Sequence, residues 1–153
     1  MSHTGVEYVS VAQTPPPVTI PTVDRLLTSP EVVALAGLTY RQLDHAVRRG
    51  VLRMARPVAG SGDRRLFHAR EAQIAWVMAQ FQEEAGARDI TRLAHAVDLL
   101  RDAPRWDGYL VVSGGVASIV ADEREVAELA LAGPIAVLRL DTCPVSVDEE
   151  AVA

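Results

Sequence analysis

Tyr40, Arg41, Asp44, His45 and Arg48 fall at helical spacing along one side of a short segment, and Arg49, Arg53, Arg56, Arg64 and Arg65 follow it closely in the chain. A guanidinium is a planar fork of donors that matches either a phosphate or the O6/N7 edge of guanine. A tyrosine hydroxyl can donate to phosphate, and an imidazole can meet either target. The chemistry these residue types suggest is recognition of a polyanion, not the making or breaking of bonds. Charge distribution agrees with that. From Arg25 to Arg70, nine arginines stand against Glu31, Asp44 and Asp63, a local balance of +6, whereas the remaining residues carry −11 and the whole chain −5. A positive module on a negative body is the electrostatic footprint of a nucleic-acid binder. All fifteen basic residues are arginine. Coding bias in a high-GC genome is the simpler account of that usage, and a preference for guanidinium forks is the other.

Other chemistries find little support. Cys143 is the only cysteine, which excludes an intrachain disulfide and a multi-cysteine zinc site. His3, His45, His68 and His95 have no ligand spacing. Asp122, Glu123, Glu125 and Glu128 read as a solvated helix face, and Ser113-Gly114-Gly115 lacks the glycine pattern and following helix of a phosphate cradle. Trp76 and Trp106 read as core or domain-junction residues. The expectation is therefore no catalytic residue, no metal, no cofactor and no enzymatic activity. No run approaches the roughly 18 apolar residues of a membrane span, and no basic start precedes an apolar stretch. A cytoplasmic, nucleoid-associated protein is expected, with no membrane partner.

The elements that would position these residues can be read in order. Residues 1–27 read as a flexible proline-rich tail, because Thr14-Pro15-Pro16-Pro17 and Pro21 favour extended backbone and remove donors. Val18, Ile20 and Val23 offer docking points if the tail acts as an arm. Ser29-Pro30-Glu31 predicts a helix start with Ser29 as N-cap, and Gly37 its end. Thr39 with Gln42 is a capping-box pattern that predicts a second helix, in which Leu43, Ala46 and Val47 face inward. Gly50 stops that helix. Val51 to Arg56, a turn at Gly60-Ser61-Gly62-Asp63 and a return strand at Arg64-Arg65-Leu66-Phe67 predict a basic hairpin.

Ala72, Ala75, Met78 and Phe81, widened by Ile74 and Val77, predict a third helix broken at Gly86. Ile90, Leu93, Ala94, Val97 and Leu100 predict a fourth, ended by Pro104. Beyond it, Tyr109 to Val112 and Val116 to Val120 flank Gly114-Gly115 as a hairpin, Glu123 to Ala132 reads as a helix, and Ile135 to Leu140 as a third strand. The expected fold class is α+β: a mostly helical winged helix-turn-helix domain over 28–103, a small ββαβ unit over 104–143 for dimerisation or packing, and an acidic tail over 144–153.

The run Leu27-Thr28-Ser29-Pro30-Glu31-Val32-Val33-Ala34-Leu35-Ala36-Gly37-Leu38-Thr39-Tyr40-Arg41-Gln42-Leu43, followed by Arg48-Arg49-Gly50-Val51-Leu52, resembles the DNA-binding domain of the mercury-resistance-regulator (MerR) superfamily. Arg56, Arg65 and Phe67 resemble its wing, Phe67-His68-Ala69-Arg70-Glu71-Ala72 the start of its third helix, and Gly86 through Leu93 the start of its fourth. The resemblance covers about residues 26–100. It implies a homodimer on double-stranded DNA, with a recognition helix over about 39–49 in the major groove and a wing over about 53–67 on the backbone. The residues so assigned are Thr39, Tyr40, Arg41, Asp44, His45, Arg48, Arg49, Arg53, Arg56, Arg64 and Arg65.

Three departures bear on the family's control apparatus. Asp44-His45-Ala46 stands where the family usually has Arg-Tyr-Tyr; Asp44 would repel phosphate and can instead accept from cytosine N4 or, the favoured reading, orient Arg41 or Arg48. Pro104 and the strands after it replace the long coiled-coil helix. The metal-sensing cysteines are missing. A sequence-specific transcriptional regulator is the leading expectation. The others are an excisionase-like or architectural DNA-binding protein of a mobile element, and an antitoxin-like module that binds a protein through its C-terminal unit.

Overall fold

The computed structural model describes residues 5–8, 18–21, 25–58, 60, 64–104 except 86–89, and 106–148. It is a mixed α+β protein that divides into two compact units, one from Gln13–Ala79 with Cys143–Ala153, the other from Met1–Ala12 with Gln80–Thr142.

The elements in chain order are β1 (Val6–Tyr8), β2 (Val18–Pro21), β3 (Leu27–Thr28), α1 (Ser29–Ala36), α2 (Tyr40–Arg48), β4 (Leu66–Phe67), α3 (Ala69–Ala85) and α4 (Ile90–Asp102). There follow β5 (Tyr109–Ser113), β6 (Val116–Val120), α5 (Glu123–Ala130), β7 (Ile135–Arg139), a 3-10 turn at Leu140–Thr142 and β8 (Val145–Asp148).

In the first unit α1 packs on α2, β3 and β4, with Val32, Ala36, Leu38, Leu43, Ala46 and Phe67 buried. The cap of α1 is Thr28 and not the expected Ser29: the Thr28 amide donates to Glu31 Oε2 at 2.8 Å, and its hydroxyl donates to the same oxygen at 3.1 Å. Ser29 is the first helical residue, and Pro30 still lies in the first turn, where its missing N–H costs nothing. α3 is buried on every face from Glu71 to Ala79, not along the single stripe the spacing predicts. That brings two polar side chains inside. Glu71 accepts from the Arg53 amide at 2.9 Å, and Gln73 Nε2 donates to the Val145 carbonyl at 2.9 Å.

In the second unit the four-stranded sheet runs β1-β7-β5-β6. Gly114 and Gly115 both have positive φ, 56° and 88°, as a tight two-residue hairpin turn demands. α5 packs on β5 and β7, closing a core of Val111, Val120, Val126, Ile135 and Val137. α4 packs on β6, and His95 Nδ1 accepts the Ala117 amide at 3.0 Å.

The ββαβ arrangement expected after Pro104 is present, but three expectations about its surroundings change. The tail expected over 1–27 supplies β1, parallel to β7, β2, parallel to β8, and β3. The acidic tail expected over 144–153 supplies β8. For β1, β2 and β8 the backbone donors and acceptors find ladder partners more than a hundred residues away, which local composition does not reveal. α4, expected to close the helical domain at 103, instead belongs to the second unit through its packing on β6. Thr14–Pro17, Val23, Ser61–Asp63 and the break at Gly86 lie outside the described residues.

Candidate nucleic-acid interface

The segment from α1 to β4 places the arginine cluster. Gly37, with φ 74°, closes α1 through its amide to the Val33 carbonyl at 3.0 Å, and buried Leu38 pins the turn. Thr39 then caps α2 in both directions. Its hydroxyl accepts the Gln42 amide at 3.2 Å, while the Gln42 side chain accepts the Thr39 amide at 2.8 Å. The capping box expected from the sequence is formed, and it fixes the direction in which the positive end of α2 points.

Leu43 and Ala46 are buried beneath α2 and Val47 is half-buried. The opposite side exposes Tyr40 at 59%, together with Arg41, His45 and Arg48. At the other end, the Gly50 amide bonds to the Val47 carbonyl at 3.0 Å and the Val51 amide to the Ala46 carbonyl at 3.0 Å. This is a Schellman closure, with Gly50 at φ 72° in the left-handed position. Buried Leu52 and the Glu71 carboxylate on the Arg53 amide then hold the chain down, leaving the Arg53 side chain exposed.

The expected wing differs from a hairpin ladder. β4 pairs antiparallel with β3, Leu27 opposite Phe67 and Thr28 opposite Leu66. The 51–56 segment reaches it through the Ala55 amide on the Leu66 carbonyl at 2.7 Å. Two residues on, Pro57 has no amide to extend a ladder. Arg53, Arg56 and Arg64 are nonetheless all exposed on this segment, with Arg65 half-buried. Arg56 is engaged within the protein.

Asp44 joins the two parts. Its Oδ2 lies 2.9 Å from Arg48 Nε and its Oδ1 2.9 Å from Arg65 Nη2. Of the two arginines named as possible partners of Asp44, Arg48 is paired with it and Arg41 is not; its second oxygen is taken by Arg65, which the sequence did not point to. Among the described residues, Arg41, Arg49, Arg53 and Arg64 have no carboxylate partner. Glu71 was not singled out by sequence reasoning, because a glutamate in a first helical turn reads simply as dipole compensation. Its burial at 5% exposure was the missing signal.

Among the described residues no group of three or more His, Cys, Asp or Glu side chains could hold a metal ion, and no helix is long and apolar enough to cross a membrane. Burial pushes the Cys143 thiol up to about 12, which leaves it protonated and a poor nucleophile at neutral pH. Compared with known proteins, the chain matches no family model, no curated protein and no solved structure.

Proposed function

We propose that this chain is a sequence-specific transcriptional regulator that binds double-stranded DNA as a homodimer, in the manner of the MerR-like winged helix-turn-helix domains it resembles. The observation that carries the reading is α2: a short helix, capped by Thr39 at one end and by a Schellman closure at the other, that buries Leu43 and Ala46 and exposes Tyr40, Arg41, His45 and Arg48. A helix of this size fits the major groove, and its N-terminal residues are the ones that reach base edges there. Arg41 is the base-reading residue in this scheme. Arg49, Arg53, Arg56 and Arg64 supply the flanking positive field that holds backbone phosphates. Dimerisation falls to the second unit, which takes the place of a coiled coil and exposes Leu131 and Val116 at 89% and 61%.

The test is selection of bound sites from random duplex DNA, followed by titration of the recovered site. Arg41→Ala is expected to weaken that site by about 1–3 kcal/mol and to relax base choice at one position, while Arg53→Ala weakens all sequences about equally. Recovery of no motif, or an Arg41→Ala protein with unchanged base choice, overturns the groove model. A long footprint with strong bending would instead indicate an architectural role.

A further inference from the structure

Asp44 engages two guanidiniums at once, one from its own helix and one from a segment twenty-one residues further along the chain. The Arg48 side chain is 76% exposed, and those of Asp44 and Arg65 are each 34% exposed. Ion pairs this open add only about 0–1 kcal/mol to stability, so holding the fold together is not their main consequence. Their geometry matters more. One carboxylate oxygen fixes Arg48 through Nε and the other fixes Arg65 through Nη2, so both forks are set at a separation defined by a single rigid group. A guanidinium carries five N–H donors, so most of each fork is left over after its contact with Asp44. One negative charge against two positive leaves the trio positive.

Two pre-oriented forks with a net positive charge have the composition of a clamp for one tetrahedral phosphodiester. Pre-orientation also lessens the rotamer freedom lost on binding. We propose that Arg48 and Arg65 act together on a single backbone phosphate of double-stranded DNA, with Asp44 as the positioning residue that makes them one unit. This rests on the DNA-binding reading above. It also explains why an acidic residue is tolerated on the outward side of α2: without Arg65 opposite it, Asp44 would repel the backbone.

The experiment is equilibrium binding of the full chain to duplex DNA over a salt series, comparing the wild type with the Arg48→Gln/Arg65→Gln double variant, each with Asp44 intact and with Asp44→Asn. Each phosphate neutralised contributes about 0.9 to the slope of log affinity against log salt. The Arg48→Gln/Arg65→Gln variant in the Asp44→Asn background is the common reference, because with Asp44 intact the double variant leaves its carboxylate bare against the backbone and is expected to bind weakest of the four. Relative to that reference the wild type is expected to gain about 0.9, the share of one phosphate, whereas two independent contacts would gain about 1.8. In Asp44→Asn the freed arginines reach separate phosphates, and the gain over the reference is expected to rise to about 1.8. A gain of about 1.8 for the wild type, or no gain at all, overturns the clamp while leaving DNA binding in place. The same gain for the wild type and for Asp44→Asn overturns the role of Asp44. Absence of salt-dependent binding by the wild type overturns the DNA reading and the clamp together. Circular dichroism spectra of all four proteins report whether each is folded.

Discussion

Asp44 Oδ1 lies 2.9 Å from Arg65 Nη2, tying the middle of α2 to the residue just before β4. This one contact connects α2 with the basic segment beside it. It spans two elements whose backbones are held by separate means, α2 by its caps and β4 by its pairing with β3. Since both backbones are set without it, the ion pair is free to position side chains.

Asp44→Asn is therefore expected to leave the protein folded, with a loss of no more than about 1 kcal/mol, as is usual for exposed pairs. Thermal melts at low and high salt check this. A large, salt-independent loss would mean that the carboxylate supports the backbone after all.

Thr39→Ala removes the acceptor for the Gln42 amide and is expected to cost about 1 kcal/mol, within the range of N-cap deletions. Because the first turn of α2 carries Tyr40 and Arg41, DNA affinity should fall as well. Thr39→Ser, which keeps the oxygen, should restore both; denaturant titration and gel-shift assays on the same samples would show it.

Gly108 has φ +87°, and a Cβ there would run into the Val120 carbonyl oxygen. Gly108→Ala is expected to destabilise the second unit by at least about 1–3 kcal/mol, from backbone strain and the clash together. Gly114→Asn serves as the control. Among the described residues, no atom beyond its own chain neighbours lies within 4 Å of a Cβ built at Gly114, and asparagine is favoured at the first position of this hairpin turn, so a change within about 0.5 kcal/mol is expected. Equal losses at the two positions would contradict the assignment.

Glu31 is held below its ordinary value of 4.5 chiefly by the Thr28 amide; burial, the next largest effect, opposes the shift, and Arg25 and the Thr28 hydroxyl add to it. A carboxylate whose pKa is lower folded than unfolded adds stability above its unfolded pKa and loses it as pH falls through the folded value. The melting temperature of Glu31→Gln should thus lie below that of the wild type at about pH 6, and the gap should narrow as pH falls below the ordinary value of 4.5 and close once it is below the lowered folded value. A gap that persists in acid would show that the hydrogen bonds, and not the charge, are responsible.

The parts of this protein legible in its sequence are those governed by neighbours along the chain. Gly37, the Thr39–Gln42 box, Gly50 and Gly114-Gly115 act within a few residues of themselves. They mark the ends of α1 and α2 and the turn of the β5–β6 hairpin, and helical spacing then separates Leu43 and Ala46 from Tyr40, Arg41 and His45. The partners of β1, β2 and β4 lie far away in the chain or outside the expected hairpin, in β7, β8 and β3, and no local pattern of Val6–Tyr8 or Val18–Pro21 names them. The same holds at the candidate interface. Spacing alone pairs Asp44 with Arg48, one turn away, but the bond to Arg65 and the seat of the Arg53 amide on Glu71 arise from long-range packing. Helix caps and turns are settled by short-range hydrogen bonds and steric limits on φ; strand partners and bridging ion pairs depend on which distant surfaces burial brings together.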